Sequence, residues 1–276
     1  MKQLGFEFIE FIHFIEPNIV RQIKLAKDWD SPQFRGFLIN LEEQLKQGQA
    51  IHDNRNALVR IGQNDLLGLK REILVKKYKL LRKYDRFRFR FLPSKAYRSL
   101  EIALYLLQNG LNTPRPIAIV EDRGKFNQLI SCYYLTEFLD CDTSFSQVIK
   151  KTDENTKRKI IIEAAQNIRL MHDIGIIHND LNTTNILIKS LDNKPEFFFI
   201  DLNRAREKKN ISLKARAKDL GRLALKQQDQ SVFFNSYNPQ SNNRLINNIH
   251  KALARRGKWM AFKRKIRRFK SKLFIL

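Results

Sequence analysis

The sequence has few cysteines and no long apolar run. Its only two cysteines, Cys132 and Cys141, fit no disulfide framework and no zinc-binding spacing. No run of about 18 apolar residues is present, so no transmembrane helix is predicted. The apolar residues 6–15 are interrupted by charges and lack the cleavage site of a secretory signal. We therefore expect a protein on the cytoplasmic side with reduced thiols.

Acidic residues are also scarce. There are 28 Asp and Glu against 52 Lys and Arg, which gives a net charge of +24. Such an excess indicates an anionic partner, and nucleic acid, an acidic membrane surface and a phosphorylated or carboxylated substrate all fit. Hydrophobic residues make up 43% of the chain, so the composition is that of a globular protein.

The first half of the chain carries strand patterns around one long helix. Two β-prone runs, residues 57–61 and 72–78, flank a turn rich in glycine, asparagine and aspartate, which predicts a hairpin. A second antiparallel pair is predicted at residues 117–120 and 129–138. Between the pairs, a helix is indicated by apolar residues at three- and four-residue spacing, namely Leu100, Ala103, Leu104 and Leu107.

The second half of the chain is predicted to be mainly helical. Its first long helix, at about residues 155–172, is indicated by the apolar stripe of Ile161, Ala164, Ile168 and Met171. We therefore predict an α+β protein with two lobes, an antiparallel N-lobe with one main helix and a mostly helical C-lobe. The predicted parts are an N-terminal extension at 1–47, the N-lobe at 48–139, the C-lobe at 140–243 and a basic amphipathic helix at 244–276.

A His-x-Asp-x-x-x-x-Asn motif in the second half indicates phosphoryl transfer. It runs from His178 to Asn185, and a second acid, Asp201, ends the apolar run 197–200. Phosphoryl transfer needs a carboxylate that orients or deprotonates the acceptor hydroxyl, and Asp180 fits this role. It also needs oxygen ligands for Mg²⁺, for which Asn185 and Asp201 are the candidates. Together with its flanking helix and hairpin, the motif predicts a protein-kinase-like fold.

A lysine in the N-lobe is the candidate for holding the donor phosphates. Lys76 lies inside an apolar strand pattern, and Glu101 lies on the helix that follows. A lysine on such a strand, paired with a helix glutamate, can hold the phosphates of ATP. Lys77 is the rival candidate, and one solvated basic edge formed by Lys76, Lys77 and Lys79 is the simpler alternative.

The sequence lacks the glycine triplet that covers the phosphates in protein kinases. No such triplet precedes Lys76, and residues 53–56 stand in its place. We expect backbone amides and Arg55 to cover the phosphates there. The same absence leaves open a catalytically silent kinase fold that binds an anionic partner.

Six segments of the chain resemble the lipopolysaccharide core (Kdo/heptose) kinases, also called the InaA-like family. They lie between about residues 48 and 206 and carry the motifs that the family shares. The segments are residues 54–56, 74–78, 96–107, 112–117, 178–187 and 199–206.

The resemblance implies an ATP- and Mg²⁺-dependent kinase that phosphorylates a sugar hydroxyl, of Kdo or heptose, in the inner core of lipopolysaccharide. The implied acceptor is a lipid A–core glycolipid, and the implied location is the inner face of the inner membrane. Within this pattern Asp180 would be catalytic, Lys76, Glu101 and Arg55 would bind the nucleotide, and Asn185 and Asp201 would bind the metal.

Several departures from eukaryotic protein kinases restrict the choice of substrate. Asn179 and Asn182 stand where those enzymes have arginine and lysine, and Asp201-Leu202-Asn203 replaces Asp-Phe-Gly. No Ala-Pro-Glu motif follows, which argues against a platform for protein substrates. An aminoglycoside- or choline-like kinase and an atypical protein kinase remain alternatives.

The C-terminal end carries much of the positive charge. Residues 251–276 contain 11 Lys or Arg and no Asp or Glu, and Trp259, Phe262 and Ile266 fall on one helical stripe. A basic amphipathic helix of this kind fits an anionic membrane surface. A helix packed on the C-lobe is the second interpretation, and nucleic-acid binding is the least favoured. A second basic block, residues 70–90, alternates arginine with Phe87, Phe89 and Phe91.

Overall fold

The chain forms two compact units, and the first takes in a short segment from late in the sequence. The computed structural model describes residues 5–53, 56–79, 87–191, 193–223, 225–238, 240 and 242–273. The first unit consists of Met1–Cys141 together with Phe198–Arg204. The second consists of Asp142–Phe197 and Ala205–Leu276.

A seven-stranded antiparallel sheet is the centre of the first unit. Its strands are β1 (Phe8–Glu16), β2 (Ile19–Ala26), β3 (Gln49–Asp53), β4 (Asn56–Ile61), β5 (Ile73–Tyr78), β6 (Pro116–Gly124) and β7 (Gln128–Glu137). They lie in the order β1-β2-β6-β7-β5-β4-β3. The hairpin predicted at residues 57–78 is confirmed by the pairing of β4 with β5, and the second predicted pair by that of β6 with β7.

Three helices cover the two faces of this sheet. They are α1 (Pro32–Ile39), α2 (Leu41–Gln47) and α3 (Lys95–Gln108). Side chains alternate between the faces of a strand, so neighbouring residues of β5 enter different layers. Val75 lies in the core beneath α1 and α2, whereas Tyr78 packs with α3 and its hydroxyl lies 2.8 Å from Ser99 Oγ. Lys76 shares the face of Tyr78, with its Nζ 5.2 Å from the ring centre.

A buried arginine ties the N-terminal hairpin to the rest of the first unit. Arg21 on β2 donates to both carboxylate oxygens of Asp122 on β6, at 2.7 and 2.9 Å. It also donates to the Leu38 carbonyl oxygen at the end of α1, at 3.1 Å. Buried charges are tolerated when they are paired and hydrogen-bonded in this way. Strands β1 and β2 thus belong to the sheet, although the sequence suggested only an extension before residue 48.

The second unit is mainly helical. Its helices are α4 (Phe145–Lys151), α5 (Glu154–Asp173), α6 (Leu213–Leu220), α7 (Gln227–Tyr237) and α8 (Asn243–Leu273). The short strands are β8 (Thr143–Ser144), β9 (Ile176–Ile177), β10 (Ile186–Lys189), β11 (Glu196–Phe199), whose last two residues belong to the first unit, and β12 (Arg206–Glu207). The predicted stripe on α5 is confirmed, since its four apolar residues are all buried. None of the helices in the described ranges combines the length and apolarity that crossing a bilayer requires.

Gly175 makes the turn between α5 and β9 that leads into the His-x-Asp motif. Its φ angle is +95°, in the region that side-chain-bearing residues avoid. A Cβ atom at this position would lie 2.6 Å from the Lys208 carbonyl oxygen. The Gly175 carbonyl oxygen also accepts a 2.8 Å hydrogen bond from the Lys208 amide. The turn therefore requires glycine on two counts, its backbone angle and the close approach of the neighbouring chain.

Replacing Gly175 with alanine is expected to destabilise the protein by about 1–3 kcal/mol, because the turn must strain or move away from Lys208. Urea denaturation, followed by far-UV circular dichroism, measures the change in the free energy of unfolding. Gly36→Ala is the matched control, since a Cβ at Gly36 meets no atom within 4 Å. Alanine there is expected to stabilise α1 by about 0.5–1 kcal/mol. Equal effects of the two substitutions would contradict this account of the turn.

Candidate functional site

The loop after β9 is held in shape by its own amide side chains. Asn185 Nδ2 donates to the Asp180 carbonyl oxygen at 2.9 Å, and Asn182 Nδ2 donates to the same oxygen at 3.2 Å. Asn182 Oδ1 caps the following turn by accepting from the Thr184 amide at 2.9 Å. The loop therefore fixes the backbone of Asp180 from two sides. The hydrogen bond from Asn185 Nδ2 also orients the Asn185 side-chain amide, whose Oδ1 is not part of this hydrogen bond.

A buried aspartate on α6 anchors the start of this loop. Asp219 Oδ2 accepts a hydrogen bond from the His178 amide at 2.8 Å, and Oδ1 accepts one from the Asn179 amide at 2.9 Å. Asn179 has a φ angle of 60°, an arrangement that costs free energy unless neighbouring contacts impose it. The two charge-assisted hydrogen bonds supply such contacts directly before Asp180.

The aspartate is itself held by a histidine and a tyrosine. His172 Nε2 lies 3.3 Å from Asp219 Oδ2, and Nδ1 lies 2.6 Å from the Tyr237 hydroxyl. Burial lowers the pKa of His172, and the neighbouring Asp219 opposes this effect only in part. Burial also raises the pKa of Tyr237 to about 12. The histidine is therefore neutral near pH 7 and bridges the hydroxyl and the carboxylate.

Asp180 is partly exposed and lies near a positive charge. Its side chain is 28% exposed, and Oδ1 lies 3.9 Å from Nη1 of Arg222, two residues beyond the end of α6. Partial exposure suits a carboxylate that must meet a hydroxyl group of a second molecule. The second unit contains the loop of residues 178–185 as well as Asp219 and Arg222.

In the first unit, Lys76 forms an ion pair with Asp201. Lys76 Nζ lies 2.5 Å from Asp201 Oδ1, and the same oxygen accepts from Asn203 Nδ2. Asp201 has a φ angle of 60°. Its segment is fixed next to α3 by a 2.9 Å bond from the Phe199 amide to the Asn112 carbonyl oxygen. The structure thus brings together two residues that the sequence assigned to phosphate and metal binding.

The partners of the other predicted nucleotide-binding residues differ from those expected. Lys76 pairs with Asp201 and not with Glu101, although the structure describes all three residues. Glu101 is exposed because the face of α3 toward the sheet carries Ala96, Leu100 and their neighbours, and position 101 lies about 100° further round. Lys77, the rival candidate, pairs with Glu42 at 2.8 Å. Arg55 lies outside the described residues.

Two residues next to this loop in the second unit were not predicted from the sequence. Asp219 and Arg222 lie in a basic helical stretch without a recognised motif. The one available signal was that Asp219 is the only acid between Glu207 and Asp229 in the sequence. An isolated acid among basic residues does not reveal that it is buried beneath a loop 40 residues earlier.

The predicted metal ligands carry oxygen donors, and they lie in different units of the chain. Asn185 offers an amide oxygen and Asp201 a carboxylate, which are the donor types that Mg²⁺ prefers. No cluster of three or more His, Cys, Asp or Glu able to enclose a metal occurs among the described residues.

Comparison with known proteins gives a consistent picture. A model of the lipopolysaccharide kinase (Kdo/WaaP) family matches residues 59–250. Over 125 residues the chain is 26% identical to a 3-deoxy-D-manno-octulosonic acid kinase of Haemophilus influenzae and 29% identical to the protein of that name from Mannheimia succiniciproducens. In each case the match covers 45% of this chain and 51% of the relative. The chain thus spans about half the length of these curated relatives.

A solved structure, described as WaaP in complex with acyl carrier protein, is similar in fold. The TM-score is 0.58 at 21% identity, and the alignment covers 85% of this chain and 95% of that one. At this level of identity the likeness concerns the fold alone. It confirms the predicted α+β, protein-kinase-like fold.

Protonation of His172 is expected to destabilise the protein below about pH 6.5. Since its pKa is lower in the folded chain than its ordinary value of 6.5, the unfolded chain takes up the proton first as the pH falls. The stability that neutral His172 contributes is complete above that pH and is lost below it, at up to about 1.4 kcal/mol per pH unit. Urea denaturation between roughly pH 7 and pH 5 measures this slope. His172→Gln should flatten it, whereas the control His250→Gln, at an exposed position, should not. A slope that is unchanged in His172→Gln would contradict this role.

Proposed function

Because the chain belongs to the lipopolysaccharide kinase (Kdo/WaaP) family, we propose that it is an ATP-dependent kinase that phosphorylates a sugar hydroxyl, of Kdo (3-deoxy-D-manno-octulosonic acid) or heptose, in the lipopolysaccharide inner core. One observation carries the proposal: the loop that bears Asp180 is fixed by Asp219 through two backbone amides. A loop that only linked two elements would not need a buried carboxylate beneath it. The family match favours this acceptor over the aminoglycoside, choline and protein alternatives.

Asp180 is the proposed catalytic carboxylate. It orients the acceptor hydroxyl and accepts its proton as the bond to phosphorus forms. Its backbone is held by Asn185 and Asn182, so the carboxylate needs little rearrangement to reach this role. Arg222 Nη1 lies 3.9 Å from its Oδ1, which places a positive charge beside the proposed site of proton transfer.

Lys76, Asn185 and Asp201 are the proposed ligands of the nucleotide and its metal. ATP supplies the phosphoryl group, and Mg²⁺ neutralises charge across its phosphates. Lys76 would hold the donor phosphates, and the Asp201 carboxylate, which now accepts from Lys76, would hold the metal. Asn185 offers Oδ1, since its Nδ2 is engaged by the Asp180 carbonyl oxygen. The roles of Glu101 and Arg55 at the nucleotide stay predictions.

The proposed place of action is the inner face of the inner membrane, on a lipid A–core acceptor. The first half of α8 is anchored by the buried Leu245 and Ile249. Its second half exposes Trp259, Phe262 and Ile266 at 53%, 53% and 40%. The three- and four-residue spacing of these side chains places them on one face of the helix. Apolar side chains on a helix this rich in Lys and Arg suit the boundary of an anionic bilayer.

Asp180→Asn is expected to lower the rate of phosphate transfer to a purified core glycolipid by about 10²–10⁴-fold. The amide keeps the shape of the side chain but accepts no proton. Transfer from labelled ATP measures the rate, and ATP affinity should stay close to that of the unaltered chain. The matched control is Asp192→Asn, a change of the same kind elsewhere in the sequence. Equal product from the Asp180→Asn and unaltered proteins would refute the assignment.

Replacing Trp259 and Phe262 with alanine is expected to weaken binding to phosphatidylglycerol vesicles by about tenfold or more, because two aromatic side chains no longer enter the interface. Vesicle co-sedimentation measures the bound fraction, and phosphatidylcholine vesicles test the need for negative charge. Leu66→Ala is the control, since Leu66 is 87% exposed in the first unit. Binding that is equal for both lipids, or equally weakened by the control, would count against the membrane proposal.

A further inference from the structure

Two arginines lie near the carboxylate of Asp180. Arg222 Nη1 lies 3.9 Å from Asp180 Oδ1, which is an ion-pair distance but too long for a hydrogen bond. A second arginine, Arg256 on α8, is half-buried and interacts electrostatically with both Arg222 and Asp180. The proposed catalytic carboxylate therefore lies within electrostatic range of two guanidinium groups.

A close helix crossing brings Arg256 to this place. A Cβ atom at Gly221, directly after α6, would lie 3.2 Å from Ala252 Cβ on α8, so the missing side chain lets the two elements approach closely. Arg222 follows Gly221 in the chain. Arg256 follows Ala252 by four residues and therefore lies on the same face of α8, one turn further on. The close approach of Gly221 to Ala252 thereby brings Arg256 within electrostatic range of Arg222.

The positive charges of the two arginines oppose each other. Burial lowers the pKa of Arg256, the positive charge of Arg222 lowers it further, and Asp180 opposes both effects. Within the part of the chain that the structure describes, Arg256 donates no hydrogen bond from its side chain. Neither Arg222 nor Arg256 has a buried side-chain nitrogen without a hydrogen-bond partner, so their free N–H donors are open to solvent and to a bound anion. A second molecule that brings negative charge would satisfy both arginines.

We propose that Arg222 and Arg256 form an anion subsite that holds the carboxylate of the acceptor sugar beside the hydroxyl that Asp180 activates. The inference rests on the proposed function and narrows its acceptor. Guanidinium groups bind carboxylates through two parallel hydrogen bonds, which fix orientation as well as position. Of the two sugars proposed, Kdo is an acid and heptose is neutral. The subsite therefore selects Kdo.

The test compares two soluble acceptors, the methyl glycoside of Kdo and its carboxamide, with the full chain as enzyme. The unaltered chain should show a KM for the acid that is about tenfold to a hundredfold below its KM for the amide, the range for a charged hydrogen-bonded contact. In Arg256→Gln this preference should disappear through a raised KM for the acid, with the KM for ATP unchanged. Arg256→Lys should retain part of it, because the charge remains but the fork is lost.

The matched control is Arg255→Gln, which removes the same charge from the neighbouring, exposed position of α8. It should keep the preference for the acid within about twofold, as expected for a solvent-screened charge. Arg222→Gln should act like Arg256→Gln. Equal KM values for acid and amide with the unaltered chain would overturn the proposal. So would an equal rise in the KM for acid and amide in Arg256→Gln.

A binding measurement separates this inference from the kinase proposal. Isothermal titration calorimetry with the glycoside, in the absence of ATP, reports on the subsite alone. Binding that prefers the acid and depends on Arg256, without phosphate transfer by the unaltered chain, would support the subsite and refute the kinase. Transfer to acid and amide at equal rates, with equal binding of both, would support the kinase and overturn the subsite.

Discussion

The Asp219 carboxylate is the constraint on which the proposed active site depends. It is almost fully buried, and a buried charge is stable only with complete compensation. The compensating groups are the amides of His178 and Asn179 and the ring of His172. Two of these donors belong to the catalytic loop, so the requirement of one buried charge fixes the backbone immediately before Asp180. Asn179 can hold its left-handed backbone because this requirement outweighs the local strain.

The sequence predicted the parts of the molecule that depend on local patterns. The stripe on α5, the hairpin of β4 and β5 and the loop from His178 to Asn185 have fixed spacings, and spacing is what a sequence displays directly. The N-terminal hairpin escaped because β1 carries apolar residues on both faces, and strict alternation is the usual signal for a strand.

Contacts between distant segments could not be predicted in the same way. Lys76 and Asp201 are 125 residues apart, and Asp219 lies 41 residues after His178. Spacing suggested that Lys76 would pair with Glu101, but the packing of α3 turns that side chain outward. The proposed subsite of Arg222 and Arg256 depends on the close approach of Gly221 to Ala252, and a single glycine in a helical stretch does not indicate such a contact. The role of such a residue depends on the tertiary contacts that it permits.

The segment Phe198–Arg204 has a consequence for the order in which the protein can be built. It belongs to the first unit, but in the chain it follows residues 142–197 of the second unit. A ribosome that has delivered residues up to Cys141 has therefore not yet delivered the aspartate that pairs with Lys76. The sheet can form early, but Lys76 can pair with Asp201 only after about sixty further residues have been synthesised. The first unit is therefore complete only after residues 142–197 have been synthesised, and a cut at Cys141 would separate Lys76 from Asp201.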